Sequence, residues 1–249
     1  MAVTLAARLQ QDNMAPLVLE RRFISVRPVE CGPYRYRNRS SRRATRIEPA
    51  ASIRKRLFDI VMAGGALVFL APLLLAIAVA IKLTSPGPVL FFQYRYGYRN
   101  RRFKIYKFSS MRVDVSDATG VKQTVAGDKR VTWIGRILRK TSLDEIPQLI
   151  NVLKGDMSLV GPRPHVPGML AANFLYEDLV PYYFQRHSAR PGITGLAQIN
   201  GCRGSTVEAG RAISRIDYDL DYIAKWSLRL DVTIILRTIR SEFLSGSGF

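Results

Sequence analysis

Residues Ile60–Ile81 form twenty-two consecutive positions without a polar side chain, and Pro72 stands near the middle of them. A straight helix rises about 1.5 Å per residue, so a run of this length can cross a hydrocarbon core of about 30 Å. The proline alters that expectation. It lacks a backbone N–H and its ring clashes with the preceding turn, so a helix is expected to kink or break there. Arg54, Lys55 and Arg56 precede the run and Lys82 follows it. Cationic flanks favour the cytoplasmic side of a membrane. If both flanks obey that preference, the segment enters and leaves by one face as a re-entrant helix, break and helix. A single kinked span is the alternative, and the sequence leaves both open. A helix buried in a soluble core is disfavoured at this length. The run starts too far into the chain and is too long for a cleaved signal peptide, so it is expected to persist in the mature protein.

A formal charge of +19, from 38 Lys and Arg against 19 Asp and Glu, demands an anionic partner. Candidates are nucleic acid, phospholipid head groups and phosphorylated substrates. The membrane segment favours the last two, and no nucleic-acid partner is expected. Two cysteines, Cys31 and Cys202, and two histidines, His165 and His187, show no metal-ligand spacing. Any metal here is therefore expected to be held by oxygen. So few cysteines also fit a reducing compartment.

Residues 1–50 carry ten arginines against four acidic residues and read as a poorly ordered basic arm. The arm fits anionic lipid or a solvated tail about equally well, and its Tyr34–Arg46 cluster also has the charge for electrostatic contact with nucleic acid. Residues 51–84 hold the membrane segment, and 85–249 have room for one folded domain. The turn sequence SPGP at 85–88 stops any helix. Two aromatic and apolar runs follow, Val89–Tyr96 and Phe103–Phe108, separated by a turn at Gly97–Asn100, which predicts a β-hairpin. Seven Lys or Arg and no acid lie between Arg95 and Arg112, placing the hairpin against phosphate or head groups, or else in solvent as a basic face.

Beyond Thr132 the periodicity predicts helices over Trp133–Lys140 and Asp144–Leu153. A C-terminal stripe of Val232, Ile235, Leu236 and Ile239 either closes the core, its commoner fate, or lies on a membrane surface. The fold class read this way is mainly α with a small β-hairpin.

The chemistry concentrates between Ser142 and Pro164, SLDEIPQLINVLKGDMSLVGPRP. Asp144 and Glu145 are read as opening a helix just after Arg139 and Lys140, and a helix N-terminus with its free N–H groups suits anions. Ser142-x-x-Glu145 is also a capping box, in which serine and glutamate only satisfy end amides. An ionised carboxylate beside cations can attack phosphorus to form an acyl phosphate. A second carboxylate can hold Mg²⁺, which takes oxygen ligands and keeps waters and substrate phosphates in its shell. Arg163 in GPRP and Arg190 in RPGITG present planar forks matched to phosphate oxygens.

Six segments in order resemble the bacterial sugar transferase family, the monotopic phosphoglycosyl transferases. They are KRLFDIVMAGG (55–65), the proline-broken apolar run, SPGPVLFFQYRYG (85–97), FKIYKFSSMR (103–112), LRKTSLDEIPQLINVLKGDMSLVGPRP (138–164) and RPGITGLAQINGCRG (190–204). The resemblance implies a cytoplasmic catalytic domain mounted on a re-entrant membrane helix at the bacterial inner membrane. It implies transfer of a sugar 1-phosphate from a UDP-sugar to polyprenyl (undecaprenyl) phosphate with release of UMP, which initiates exopolysaccharide or other glycoconjugate assembly. Carried over, Asp144 is the nucleophile and Glu145 the Mg²⁺ ligand. Arg139, Arg163 and Arg190 match phosphate-holding positions, with Lys107 and Arg112 as nearby cations. Pro72 matches the break and Asp59 a membrane-proximal aspartate. Ala71 stands where the family usually has serine, Ser109 where a basic residue is common, and the segment after Asn200 departs from the usual pattern. A membrane-anchored basic adaptor without catalysis is the competing reading, and a homo-oligomer is compatible with either.

Overall fold

The computed structural model describes residues 48–112, 128–204 and 206–245, with side chains through 241. The basic arm expected at 1–50 and Cys31 lie almost wholly outside the described residues. In chain order the elements are helix α1 (Ile53–Thr84), strands β1 (Leu90–Tyr96) and β2 (Arg102–Phe108), helix α2 (Trp133–Lys140), a 3₁₀ turn (Leu143–Glu145) and helix α3 (Gln148–Lys154). There follow β3 (Ser158–Val160), β4 (Leu170–Ala171), β5 (Phe174–Leu175), α4 (Tyr176–Leu179), a 3₁₀ helix (Tyr183–Ser188), β6 (Gly192–Thr194), α5 (Leu196–Ile199), α6 (Ala209–Lys225) and α7 (Leu228–Ser245). The described residues are mostly helical, as the periodicity predicts, with three two-stranded sheets: β1 and β2 antiparallel, β3 and β6 parallel, β4 and β5 antiparallel.

Helix α1 runs through Pro72 without interruption, so the expected break is absent from its secondary structure. A proline inside a helix forfeits one backbone bond and costs about 3 kcal/mol, which the packing of both limbs offsets. Ala63 packs with Ile105, Leu149, Val152 and Met157. Ile77 and Ile81 pack with Phe108 and Leu138. Between the limbs Val68, Phe69 and Leu75 are exposed, as are Ala71 and Pro72. The two ends of the apolar helix therefore rest on one body while its middle stands clear of it.

The hairpin β1 and β2 forms as expected, with Phe91 opposite Lys107, Gln93 opposite Ile105 and Arg95 opposite Phe103. Alternation puts Ile105 and Lys107 on one face. Asn151 of α3 acts as a neighbour to β2, its Oδ1 accepting the Tyr106 N–H at 3.0 Å and its Nδ2 donating to the Lys104 carbonyl at 2.7 Å. The C-terminal end of α3 is held by guanidinium donors: Arg56 reaches the Val152 carbonyl at 2.5 Å and the Leu153 carbonyl at 2.7 Å. The Val152 carbonyl also accepts from the N–H of the C-cap residue Gly155 at 3.1 Å, and the negative end of a helix suits cations.

Helix α2 matches its predicted span. Helix α3 starts at Gln148, later than the predicted Asp144, because Pro147 takes the N-cap position and the carboxylates occupy the preceding 3₁₀ turn. On α7 the core position is Ile234, fully buried, while Val232, Leu236 and Ile239 are exposed. The predicted C-terminal stripe is thus split: Ile235 is half-buried and packs with Ile234 against Val160 and Tyr222, while its other three residues face outward.

Candidate active site

The carboxylates are placed by a sharp reversal after α2. Ser142 adopts the left-handed conformation, φ 53°, and makes no side-chain capping bond, so the capping-box reading of Ser142 and Glu145 does not hold. Left-handed backbone is uncommon for a residue with a Cβ. The turn sends Asp144 inward, where it is buried, and directs Glu145 to two cations. Lys107 of β2 donates to Glu145 Oε1 at 2.7 Å. Arg163, in the loop after β3, donates from Nη2 to Oε1 at 2.6 Å and from Nη1 to Oε2 at 3.2 Å. This is the two-pronged arrangement that guanidinium offers a carboxylate.

Burial alone would raise the Glu145 carboxyl, but the charges of Arg163 and Lys107 and their hydrogen bonds hold it well below the usual carboxylate range. Asp144 goes the other way. Burial raises its carboxyl, against the pull of Lys107, Arg139 and Arg163, and the neighbouring Glu145 charge adds to the rise. Two adjacent carboxylates are thus pushed apart, a pattern that divides roles between paired acids. The sequence reading, in which nearby cations keep such a carboxylate ionised, fits Glu145 more directly than Asp144.

Arg139 of α2 donates from Nε to Ser110 Oγ at 2.8 Å. Burial lowers its pKa against the stabilising charges of Asp144, Asp128 and Glu145, which places it electrostatically beside the acids. The predicted group of Asp144, Glu145, Lys107, Arg139 and Arg163 is therefore one cluster. The hydrogen bonds of Arg190 and Asp59 go elsewhere. Arg190 donates to the Gly155 carbonyl at 3.2 Å and the Ala50 carbonyl at 2.8 Å, with its guanidinium over the Tyr98 ring. Arg112 is exposed, and its backbone N–H bonds the Arg130 carbonyl at 2.8 Å. Asp59 accepts from Lys55 Nζ and from the Leu159 N–H, each at 3.2 Å, as an anchor for α1.

Arg95 is a functional candidate that the sequence reading counted only among the cations of the hairpin. It lies on the same face as Gln93, bonds that side chain and donates to the Pro164 carbonyl at 3.3 Å. Burial, reinforced by the nearby Arg163, lowers it to about 10 against the pull of Glu145 and Tyr183. Alternation along β1 was the signal that could have singled it out.

Among the described residues no group of three or more His, Cys, Asp or Glu is placed to hold a metal. The pair Asp144 and Glu145 fits Mg²⁺ in one mode, where one or two carboxylates are supplemented by substrate phosphates and water. Of the two Glu145 oxygens, Oε2 takes only the longer Arg163 contact and has the larger remaining acceptor capacity.

The carboxylate pair and its cations sit on the body that seats both ends of the apolar helix. The Bacterial sugar transferase family model matches residues 50–245, and the chain belongs to that family. It is 54% identical over 195 residues to the exopolysaccharide production protein PSS of Rhizobium leguminosarum bv. phaseoli, covering 78% of this chain and 98% of that protein. It is 50% identical over 197 residues to the undecaprenyl-phosphate glucose phosphotransferase of Komagataeibacter xylinus, covering 79% of this chain and 37% of the relative. A UDP-glucose:undecaprenyl-phosphate glucose-1-phosphate transferase of Escherichia coli K12 is 47% identical over 195 residues, 78% of this chain and 41% of the relative. The match thus spans nearly all of the first relative and about two fifths of the other two.

Proposed function

We propose that this protein transfers a sugar 1-phosphate from a UDP-sugar to undecaprenyl phosphate, at the start of exopolysaccharide assembly. The observation that carries this reading is the buried Asp144 beside Glu145, ringed by Lys107, Arg139 and Arg163, on the body that seats both limbs of the apolar helix α1.

An Asp144 carboxylate oxygen attacks the phosphorus that bears the sugar. The bridging P–O bond breaks and UMP leaves with the electron pair, giving an aspartyl phosphosugar. A phosphate oxygen of the lipid then attacks the same phosphorus and frees the carboxylate. Splitting one transfer into two suits reactants that approach from different phases. Arg163, Lys107 and Arg139 hold the donor phosphates and balance charge developing on them. Glu145 is the carboxylate that would hold Mg²⁺, whose chemistry is to neutralise pyrophosphate charge.

The test is UMP release without lipid acceptor. UDP-glucose is the first donor to assay, since relatives between 47% and 51% identical are named for glucose transfer. The expected result is about one UMP per protein, with the protein gaining the mass of one hexose phosphate. Lipid product forming with no such adduct and no acceptor-independent UMP would reject the covalent relay.

In this reading α1 enters and leaves the membrane by one face. Support comes from the packing: Lys55, Asp59 and Ala63 at one end, and Ile77 and Ile81 at the other, are buried against one domain. A span would carry the two ends to opposite sides of the bilayer. Single cysteines placed at Arg54 and at Thr84 are both expected to react with an impermeant maleimide in inverted inner-membrane vesicles, and neither in intact spheroplasts. Labelling from opposite sides would establish a span.

A further inference from the structure

The loop Gly161–His165 that carries Arg163 contains Pro162 and Pro164, which have no N–H to give to a ladder or turn. Such a segment can be fixed only through its carbonyls and the N–H groups that remain. Four successive carbonyls are taken. Pro162 accepts from the Gly192 N–H at 2.9 Å, and Arg163 from Arg186 Nη2 at 2.6 Å. Pro164 accepts from Arg95 Nη1 at 3.3 Å, and His165 from the Tyr96 N–H at 2.9 Å. At the head of the loop the Gly161 N–H reaches the Thr194 carbonyl at 2.9 Å.

The donor at Arg163 itself is a buried guanidinium. Arg186 is 1% exposed and Asp219 of α6 is 2% exposed. Arg186 Nε and Nη2 meet Asp219 Oδ2 at 2.9 and 2.6 Å, and the guanidinium lies over the Tyr183 ring. A buried guanidinium needs a partnered carboxylate, so Asp219 sets where Arg186 points, and Arg186 sets where the Arg163 backbone lies. At its other end Arg163 clamps Glu145.

We infer that Asp219 and Arg186 are positioning residues, which act on phosphate transfer by holding the Arg163 backbone so that its side chain faces the Asp144 and Glu145 pair. This inference rests on the reading of Arg163 as a ligand of donor phosphates. Displacements of about 1 Å at such a group cost up to about a hundredfold in rate.

The test compares turnover of UDP-glucose in the full-length protein and in Arg186→Lys, Asp219→Asn, Arg163→Ala and the double variant Arg163→Ala with Arg186→Lys. Arg186→Lys keeps a cation opposite Asp219 but loses the fork that spans Asp219 and the Arg163 carbonyl, so it addresses the question even if Asp219→Asn fails to fold. Its kcat is expected to fall about tenfold. In the Arg163→Ala background the same change is expected to cost less than about twofold, because the group it positions is gone. An equal loss in both backgrounds would show a general effect on the fold and overturn the inference, as would parental activity in Arg186→Lys. Parental activity in Arg163→Ala would instead reject the phosphate-ligand reading beneath it.

Discussion

Asp144→Asn is expected to lower turnover by at least about a thousandfold while leaving the fold intact. An amide of nearly the same shape cannot form an acyl phosphate, so both half-reactions lose their nucleophile. The thermal midpoint is not expected to fall. Burial raises the Asp144 carboxyl above its ordinary value, so the ionised group opposes folding at neutral pH and its neutral replacement relieves that opposition. Stability kept while activity is lost is the signature of a group retained for chemistry. Turnover and a melting curve on one preparation check this. Near-normal transfer would remove Asp144 from the mechanism, and a collapsed midpoint would assign it to the fold.

The second large effect concerns stability. Lys55 is the cation between two buried acids, 3.2 Å from Asp59 and 2.9 Å from Asp231. Asp231 also accepts from Tyr222 Oη at 2.8 Å and Trp226 Nε1 at 3.1 Å. Burial raises the Asp231 carboxyl, and Lys55 is the strongest pull in the opposite direction. Lys55→Met removes that pull and leaves carboxylates buried without their cation, at a cost of about 3 to 5 kcal/mol. Denaturant unfolding in detergent measures the loss. Combining it with Asp231→Asn is expected to restore part of it, since the uncompensated charge goes too. An unchanged unfolding midpoint in Lys55→Met would contradict this account.

Local signals were the most legible in the sequence. Two aromatic and apolar runs, Val89–Tyr96 and Phe103–Phe108, across a short turn gave the hairpin to within one residue at each strand, and helical spacing gave Trp133–Lys140. The grouping of Asp144, Glu145, Lys107, Arg139 and Arg163 was recognised from six resembling blocks together. Long-range choices were not legible. Whether Glu145 caps a helix or meets cations depends on Lys107 and Arg163, respectively 38 and 18 residues away. Arg190 has the same short proline and glycine context as Arg163, yet its guanidinium is used at the Gly155 and Ala50 carbonyls. Pro72 predicts a local break, but whether a helix continues through it is decided by what each limb packs against. The C-terminal stripe was ambiguous because one turn of helix holds both Ile234, which is buried, and Val232 and Leu236, which are not.

The side-chain amide of Asn151 occupies the outer margin of the hairpin as a further strand would. An unpaired margin is a template on which another polypeptide can add in register. Proteins confined to a two-dimensional surface meet one another often, and a template left open there would invite chain-to-chain polymerisation. A single carboxamide from within the same molecule takes the Tyr106 N–H and the Lys104 carbonyl, so that stretch of the β2 margin is closed to a second chain at no cost of an extra strand.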